Sequence, residues 1–364
     1  MVVLRSANPT LNSDHIISRD ERILVTGCSG FIGSNVVEAL LELGFTNLRC
    51  FVRPSSRLER LNEVLGRFPS ENVELVTGDL LSQAHCRDAA KGVPVVYHLA
   101  AGIEKSFAGA FMNSALATRN LMDAFVERNL PRRFVNVSSF AVYSNLSLKR
   151  NGLLDETCPL EAASQERFDA YGFGKLKQEE IVREYMKRYG LPAVTLRPGY
   201  VFGPGKQELS GRVGIKAFGP FIQVSGSNRL PLTFVKNCAE AIVLAGLRPG
   251  IDGEVFNVVD DELPTARQFL QACKEAKRFR SVRIPYWLAY GACFAWEKYS
   301  KWSNGQLPPV FNHRRCAAEW KSQRYSNQKL KERVGWRPSV PMNQAMEVFL
   351  AQFKSNGRDD RLKH

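Results

Sequence analysis

Tyr171 and Lys175 stand four residues apart in the run Tyr171-Gly172-Phe173-Gly174-Lys175. On a helix, residues four apart share one face. An ammonium beside a phenol favours the phenolate, which brings the tyrosine toward proton exchange at working pH. Ser139 follows the apolar run Arg133–Val137, and its hydroxyl can hydrogen-bond a substrate oxygen as charge moves onto it. An alcohol, a phenol and an amine in this order suit proton transfer at an alcohol or carbonyl oxygen.

A second constellation lies upstream. Thr26-Gly27-Cys28-Ser29-Gly30-Phe31-Ile32-Gly33 follows the apolar run Arg22–Thr26 and opens an amphipathic stretch. Glycines at a strand-to-helix turn let backbone N–H groups approach a pyrophosphate, and the helix N-terminus stabilises its charge. The turn predicts a dinucleotide cradle built from Gly27, Ser29, Gly30, Phe31, Ile32 and Gly33. An NAD site usually places an acid at the end of the second strand. Here that end reads Cys50-Phe51-Val52-Arg53-Pro54-Ser55-Ser56-Arg57. Arg53 and Arg57 suit a 2′-phosphate instead, so NADP is the expected cofactor and NAD the alternative. Asp79 in Gly78-Asp79-Leu80 is placed to accept from an adenine amino group, with Leu80 beside it. Leu99, Ala100 and Ala101 end a further apolar run, where small residues let a cofactor lie against the backbone.

The elements that must position these residues read as alternating strands and helices. Strands are expected at Arg22–Thr26, Leu48–Val52, Val73–Val76, Val95–Leu99, Arg133–Val137 and Ala193–Leu196. Helices are expected at Asn35–Leu43, Ala115–Arg128 and Tyr171–Tyr189, the first ended by Gly44 and the last by Gly190. This alternation predicts an α/β fold: a Rossmann-type doubly wound parallel sheet with a smaller C-terminal substrate-binding region. The expected divisions are a flexible tail over 1–20, the dinucleotide-binding domain over 21–197, a mostly substrate-binding region over 198–355 and a tail over 356–364. After Pro198, glycine and proline become frequent, which suggests loops over a site. A strand at Glu254–Val258 and helices near Ala266–Lys277 and Pro285–Lys298 follow.

Composition narrows the function classes. The chain has 364 residues, of which 44% are hydrophobic and 24% charged, enough for a sizeable core. Its net charge of +14 comes without a zinc-finger, RNA-recognition or basic-zipper pattern, so no nucleic-acid partner is expected. None of the eight cysteines forms a CxxC pair and no histidine cluster accompanies them. Free thiols in a cytoplasmic protein are expected, and no metal. The N-terminus lacks a secretory apolar region, and no run reaches the length of a membrane span. The aromatic stretch Ile284–Trp296, with basic residues on both sides, has two readings: a lid or core helix, or a helix lying on a membrane surface. A small-molecule substrate is expected, and a homodimer is left open.

Together, TGCSGFIG, GDL, HLAA, VSSFAVY, YGFGK, LRPGYVFGPG and the late YSNQKLKERVGWRP resemble the extended short-chain dehydrogenase/reductase family, also called the NAD-dependent epimerase/dehydratase family, over roughly residues 21–350. The resemblance implies that Tyr171 is the general acid/base, that Lys175 also binds the nicotinamide ribose, that Ser139 orients the reacting oxygen and that Pro198 and Gly199 lie near the nicotinamide. The family's usual Asn falls on Ser114 when aligned on Thr118, with Asn113 one position away. Its 4,6-dehydratases carry an Asp-Glu pair directly after the catalytic hydroxyl residue, where this chain has Phe140 and Ala141, so dehydration is disfavoured. Hydride transfer at a secondary alcohol or ketone remains. A nucleotide sugar is the favoured substrate, since the stretch Arg197–Gly205 and the basic loop around Arg212 offer cations for a diphosphate. The alternative is an apolar alcohol or ketone, as in the 3β-hydroxysteroid-dehydrogenase-like branch. A non-catalytic NADP-sensing protein is the third reading, and the retained Tyr171 and Lys175 speak against it.

Overall fold

The computed structural model describes residues 15–359, apart from 70, 103, 207–210, 217, 218, 278 and 305, with side chains described to residue 352. Residues 1–14 and 360–364, where most of the two expected tails fall, lie outside the described residues.

The order of the principal elements is β1 (Ile23–Thr26), α1 (Phe31–Glu42), β2 (Leu48–Val52), β3 (Val73–Thr77), β4 (Val95–His98), α2 (Ala117–Val126), β5 (Arg133–Val137), α3 (Ala170–Tyr189), β6 (Ala193–Pro198), α4 (Val235–Leu247) and β7 (Val255–Val258). The seven strands form one sheet in the order β7-β6-β5-β4-β1-β2-β3, with every pairing parallel. Helices cover both faces, so the central strands are buried on both sides. That is why β1 and β5 read as unbroken buried runs rather than alternating ones. The expected Rossmann-type α/β sheet is the observed one.

Several boundaries differ. The helix expected from Asn35 starts at Phe31, because the glycine turn itself forms the first helical turn and the Ser34 N–H donates to Gly30 O. The sheet also draws on the segment expected mostly to serve substrate binding: β7 pairs with β6, and α4 packs on α1. The last residues before β1 are tied down rather than forming a flexible tail through residue 20. Ile17 is buried and the Ile16 N–H donates to Leu247 O at 3.0 Å. A terminal helix, Met342–Asp359, runs through the first residues of the expected C-terminal tail.

Beyond the sheet, strands Gly214–Lys216, Phe221–Val224 and Ser281–Ile284 form a small mixed sheet, with Ser281–Ile284 at one edge. It leads into α5 (Tyr286–Trp302), one turn longer than expected, which packs on α6 (His313–Trp320). Among the described residues, no helix is long and apolar enough to cross a membrane. All eight cysteines are free thiols.

Candidate active site

Strand order reverses between β1 and β4, and an open parallel sheet leaves a crevice beyond the C-terminal ends of its strands at such a point. A cavity of 540 Å³ opens there. Its wall contains Gly27, Ser29, Gly30, Phe31, Ile32 and Gly33 from the turn after β1, and Arg53 beyond β2. Asp79 and Leu80 come from beyond β3, and Leu99, Ala100 and Ala101 from beyond β4. Ser139, Tyr171, Lys175 and Pro198 complete it. The residues singled out in the sequence therefore meet around one cavity, while Arg57 is exposed outside its wall.

The turn is held by backbone contacts that leave no room for side chains. Gly27 has φ +71°, and a Cβ there would lie 2.8 Å from Ala100 N. A Cβ on Gly33 would lie 2.0 Å from Gly27 O. Thr26 Oγ1 accepts from the Ala100 N–H at 3.3 Å, joining β1 to the strand-end turn opposite. The free N–H groups of the first turn of α1 then face the cavity mouth, which suits a pyrophosphate. The glycine cradle, the helix end and a cavity of this size fit a dinucleotide.

Tyr171 lies in the first turn of α3, and the start of that helix is fixed with unusual care. Asp169 caps it, Oδ1 accepting from the Gly172 N–H at 2.9 Å. Buried Arg167 pairs with Asp169 at 2.7 Å and also donates to Tyr143 O at 3.1 Å and to Ala141 O. Those carbonyls belong to the turn directly after Ser139, so the clamp sets the helix start against the end of β5. Burial raises the Tyr171 phenol above its ordinary range and the Ser139 hydroxyl pulls it back. Lys175 Nζ donates to Val137 O at 2.6 Å and to Gln178 Oε1 at 2.9 Å. Burial pushes Lys175 itself down to about 7, with the Glu179 carboxylate opposing the shift. An amine with that value exchanges protons near neutral pH.

Behind Lys175 runs a buried polar chain. Gln178 Nε2 donates to Thr118 Oγ1 at 3.0 Å, and Thr118 donates to Ser114 O. His98 lies between Thr118 and Thr26, 2.8 Å from each hydroxyl. Burial takes His98 down to about 3, so it is a neutral, structural histidine. On the other side, buried Glu179 accepts from Ser138 Oγ at 2.5 Å and from Arg197 through both oxygens at 2.7 and 2.9 Å. Arg197 also donates to the Tyr143 hydroxyl at 2.9 Å, which donates to Asn257 at 2.7 Å. Arg197, which the sequence offered for a diphosphate, is therefore an internal strut. Arg212 is likewise turned inward, donating to Ala318 O at 3.1 Å.

Alignment on Thr118 puts the family's Asn at Ser114, within the π-helical turn Phe111–Leu116. Asn113 lines the cavity, donating to Glu104 Oε1 at 2.9 Å, while Ser114 is buried and accepts from the Gly102 N–H. Ser56, Tyr200 and Lys206 also line the cavity and were missed. Lys206 Nζ stands 4.2 Å from the centre of the Tyr200 ring. The Gly203-Pro204-Gly205-Lys206 run was the available signal, because such a loop brings a cation over a site without regular periodicity.

Comparison with known proteins gives consistent matches. The family described as "NAD dependent epimerase/dehydratase family" matches residues 23–258. A sterol-4-alpha-carboxylate 3-dehydrogenase (decarboxylating) of Mus musculus is 26% identical, over 94% of both chains. A protein of Bacillus subtilis described as an uncharacterized UDP-glucose epimerase is 28% identical, over 65% of this chain and 76% of its own. Among solved structures, the UDP-glucuronic acid 4-epimerase of Bacillus cereus in complex with NAD superposes with a TM-score of 0.68. It covers 92% of this chain and 96% of its own at 21% identity, which speaks to the fold.

Proposed function

Because the chain belongs to the NAD dependent epimerase/dehydratase family, as an enzyme of the extended short-chain dehydrogenase/reductase type, we propose that it interconverts a secondary alcohol and a ketone on an apolar, sterol-like substrate. The observation that carries the substrate class is the fate of the cations. The Arg197 guanidinium is committed to Glu179 and that of Arg212 donates to Ala318 O, which leaves Lys206 as the cation this part of the chain brings to the cavity wall. The full-length relative acting at position 3 of a sterol carboxylate supports the same reading.

A nicotinamide dinucleotide held by the Gly27–Gly33 turn would supply the hydride chemistry. Tyr171 exchanges the proton with the substrate oxygen, Ser139 orients that oxygen through the same hydroxyl pair, and Lys175 holds or relays the proton near neutral pH. Nucleotide-sugar epimerisation is the second reading, favoured by the Bacillus subtilis relative. The two differ in net redox change. Incubation with oxidised cofactor and 3β-hydroxysterols is expected to accumulate reduced cofactor and ketone. Interconversion of UDP-glucose and its epimer without net cofactor reduction, with no turnover of sterols, would overturn the first reading.

NADP is proposed as the preferred cofactor. Arg53 is exposed on the cavity wall, and its backbone N–H donates to the side chain of Ser56, which lines the same cavity, at 3.0 Å. No carboxylate occupies that end of β2. A guanidinium-phosphate hydrogen bond contributes about 1.5–3 kcal/mol, so Arg53→Ala is expected to weaken NADP binding about tenfold or more and NAD binding hardly at all. Fluorescence titration with both cofactors checks this. Equal weakening of the two would remove Arg53 from the 2′-phosphate.

A further inference from the structure

The helix α5 faces outward with the wrong chemistry for water. Its inner side is anchored: Ala289 and Cys293 are buried with Cys316 and Trp320 of α6. Its outer side exposes Trp287, Leu288, Phe294, Tyr299 and Trp302, with Trp287 at 72% and Trp302 at 79% exposure. The two tryptophans lie near opposite ends of the helix. The exposed charges on α5 are Lys298 and Lys301, and its single acid, Glu297, is bonded to Lys301 at 2.8 Å and to His313 at 2.5 Å. The loop after the helix folds back along it, Ser300 Oγ donating to Leu307 O and Trp296 Nε1 to Pro308 O, and adds exposed Leu307. The edge strand entering the helix exposes Val282 and Arg283, directly after exposed Arg280.

The geometry points to α5 as a docking surface for an anionic lipid bilayer, with the helix lying in the interface plane. Aromatic rings at the ends of a helix belong at headgroup level, and a basic rim seeks anionic headgroups. The chain's net charge of +14 favours the same partner at longer range. A second copy of the chain is the weaker occupant, because a two-fold contact would press this basic rim against itself. The same exposure does not fit a core helix over Ile284–Trp296, since only its inner face is covered. The inference goes beyond the substrate proposal and is read without any substrate, so failure to turn over sterols leaves it untouched.

Sedimentation of the full chain with phosphatidylcholine vesicles containing phosphatidylserine, at low and at high salt, tests it. The wild-type protein is expected to pellet with these vesicles at low salt, less so at high salt and least with pure phosphatidylcholine. Tryptophan emission should shift to the blue on binding. Trp287→Gln with Trp302→Gln is expected to lower the partition coefficient about tenfold or more with an unchanged circular dichroism spectrum, since both rings are exposed and the ring contact of Trp302 is with the exposed Tyr299. Lys298→Glu, a milder surface change, should act mainly at low salt. Protein that stays in the supernatant at low salt overturns the proposal, as does vesicle binding indifferent to the tryptophan pair. A concentration-dependent dimer abolished by the tryptophan pair, without vesicle binding, assigns the face to a second copy and also overturns it.

Discussion

Turnover of the Tyr171→Phe variant is expected to fall by about 10²–10⁴-fold, the usual cost of deleting one general acid/base. The substitution keeps the ring and removes the phenolic oxygen, so the cap at Asp169 and the clamp by Arg167 are left alone. Cofactor affinity, measured by fluorescence titration, should stay within about twofold, because the pyrophosphate cradle belongs to the turn after β1 and not to α3. The loss should therefore sit in kcat at saturating substrate. Purified Tyr171→Phe protein that turns over at the wild-type rate would show that another group moves the proton. Lys175 would be the next suspect, since burial already places it near neutral.

The second large effect is at Gly33, and its neighbour in the same motif supplies the control. A Cβ on Gly33 would stand 2.0 Å from Gly27 O and 2.8 Å from Cys28 Cα, and both obstacles are backbone. Neither can step aside without moving β1 or α1. Gly33→Ala is therefore expected to cost about 3 kcal/mol or more, at or beyond the top of the usual overpacking range, and to abolish cofactor binding. Gly30 has φ −76°, and a Cβ there meets only Gly27 O, at 3.2 Å. Gly30→Ala should fold with a melting temperature within a few degrees of wild type. Thermal unfolding of the two variants side by side decides the matter. A Gly33→Ala protein that melts with the wild type would mean that the turn after β1 is far more yielding than its contacts suggest.

Much of the site was legible because its signals are local. Most of the strand-end residues read from the sequence, from Gly27 to Ser139, were found by one rule: an apolar run stops, and a small or polar residue follows; Pro198 came from the family resemblance. In a parallel sheet that rule marks the edge of the crevice, so Asp79, Ala100 and Ser139 could be placed without knowing strand order. The misses have equally physical causes. Asn113 was set aside because alignment on Thr118 put the family's Asn on Ser114, and only packing shows that Asn113 lines the cavity while Ser114 is buried. Lys206 sits in a glycine-proline loop with no period to read. Arg197 was misjudged because a cation in a strand looks the same whether it awaits an anionic ligand or already holds Glu179.

By itself the sequence determined the class of fold, the dinucleotide turn and the tyrosine-lysine pair. Each depends on neighbours within a few residues, where backbone geometry leaves few choices: a glycine turn between strand and helix, or two side chains one helical turn apart. The tertiary structure alone decided the rest. It brought Ser139 to Tyr171 through a clamp spanning Arg167, Asp169 and the carbonyls after β5. It gave Lys175 the Val137 carbonyl as a partner and recruited β7 to the sheet. It buried Arg197 and left Trp287 and Trp302 outside. These outcomes turn on which partner a polar group finds once the chain is packed, and on which face of a helix has a neighbour to cover it. Residues distant in the chain settle both, so spacing along the sequence carries no record of either.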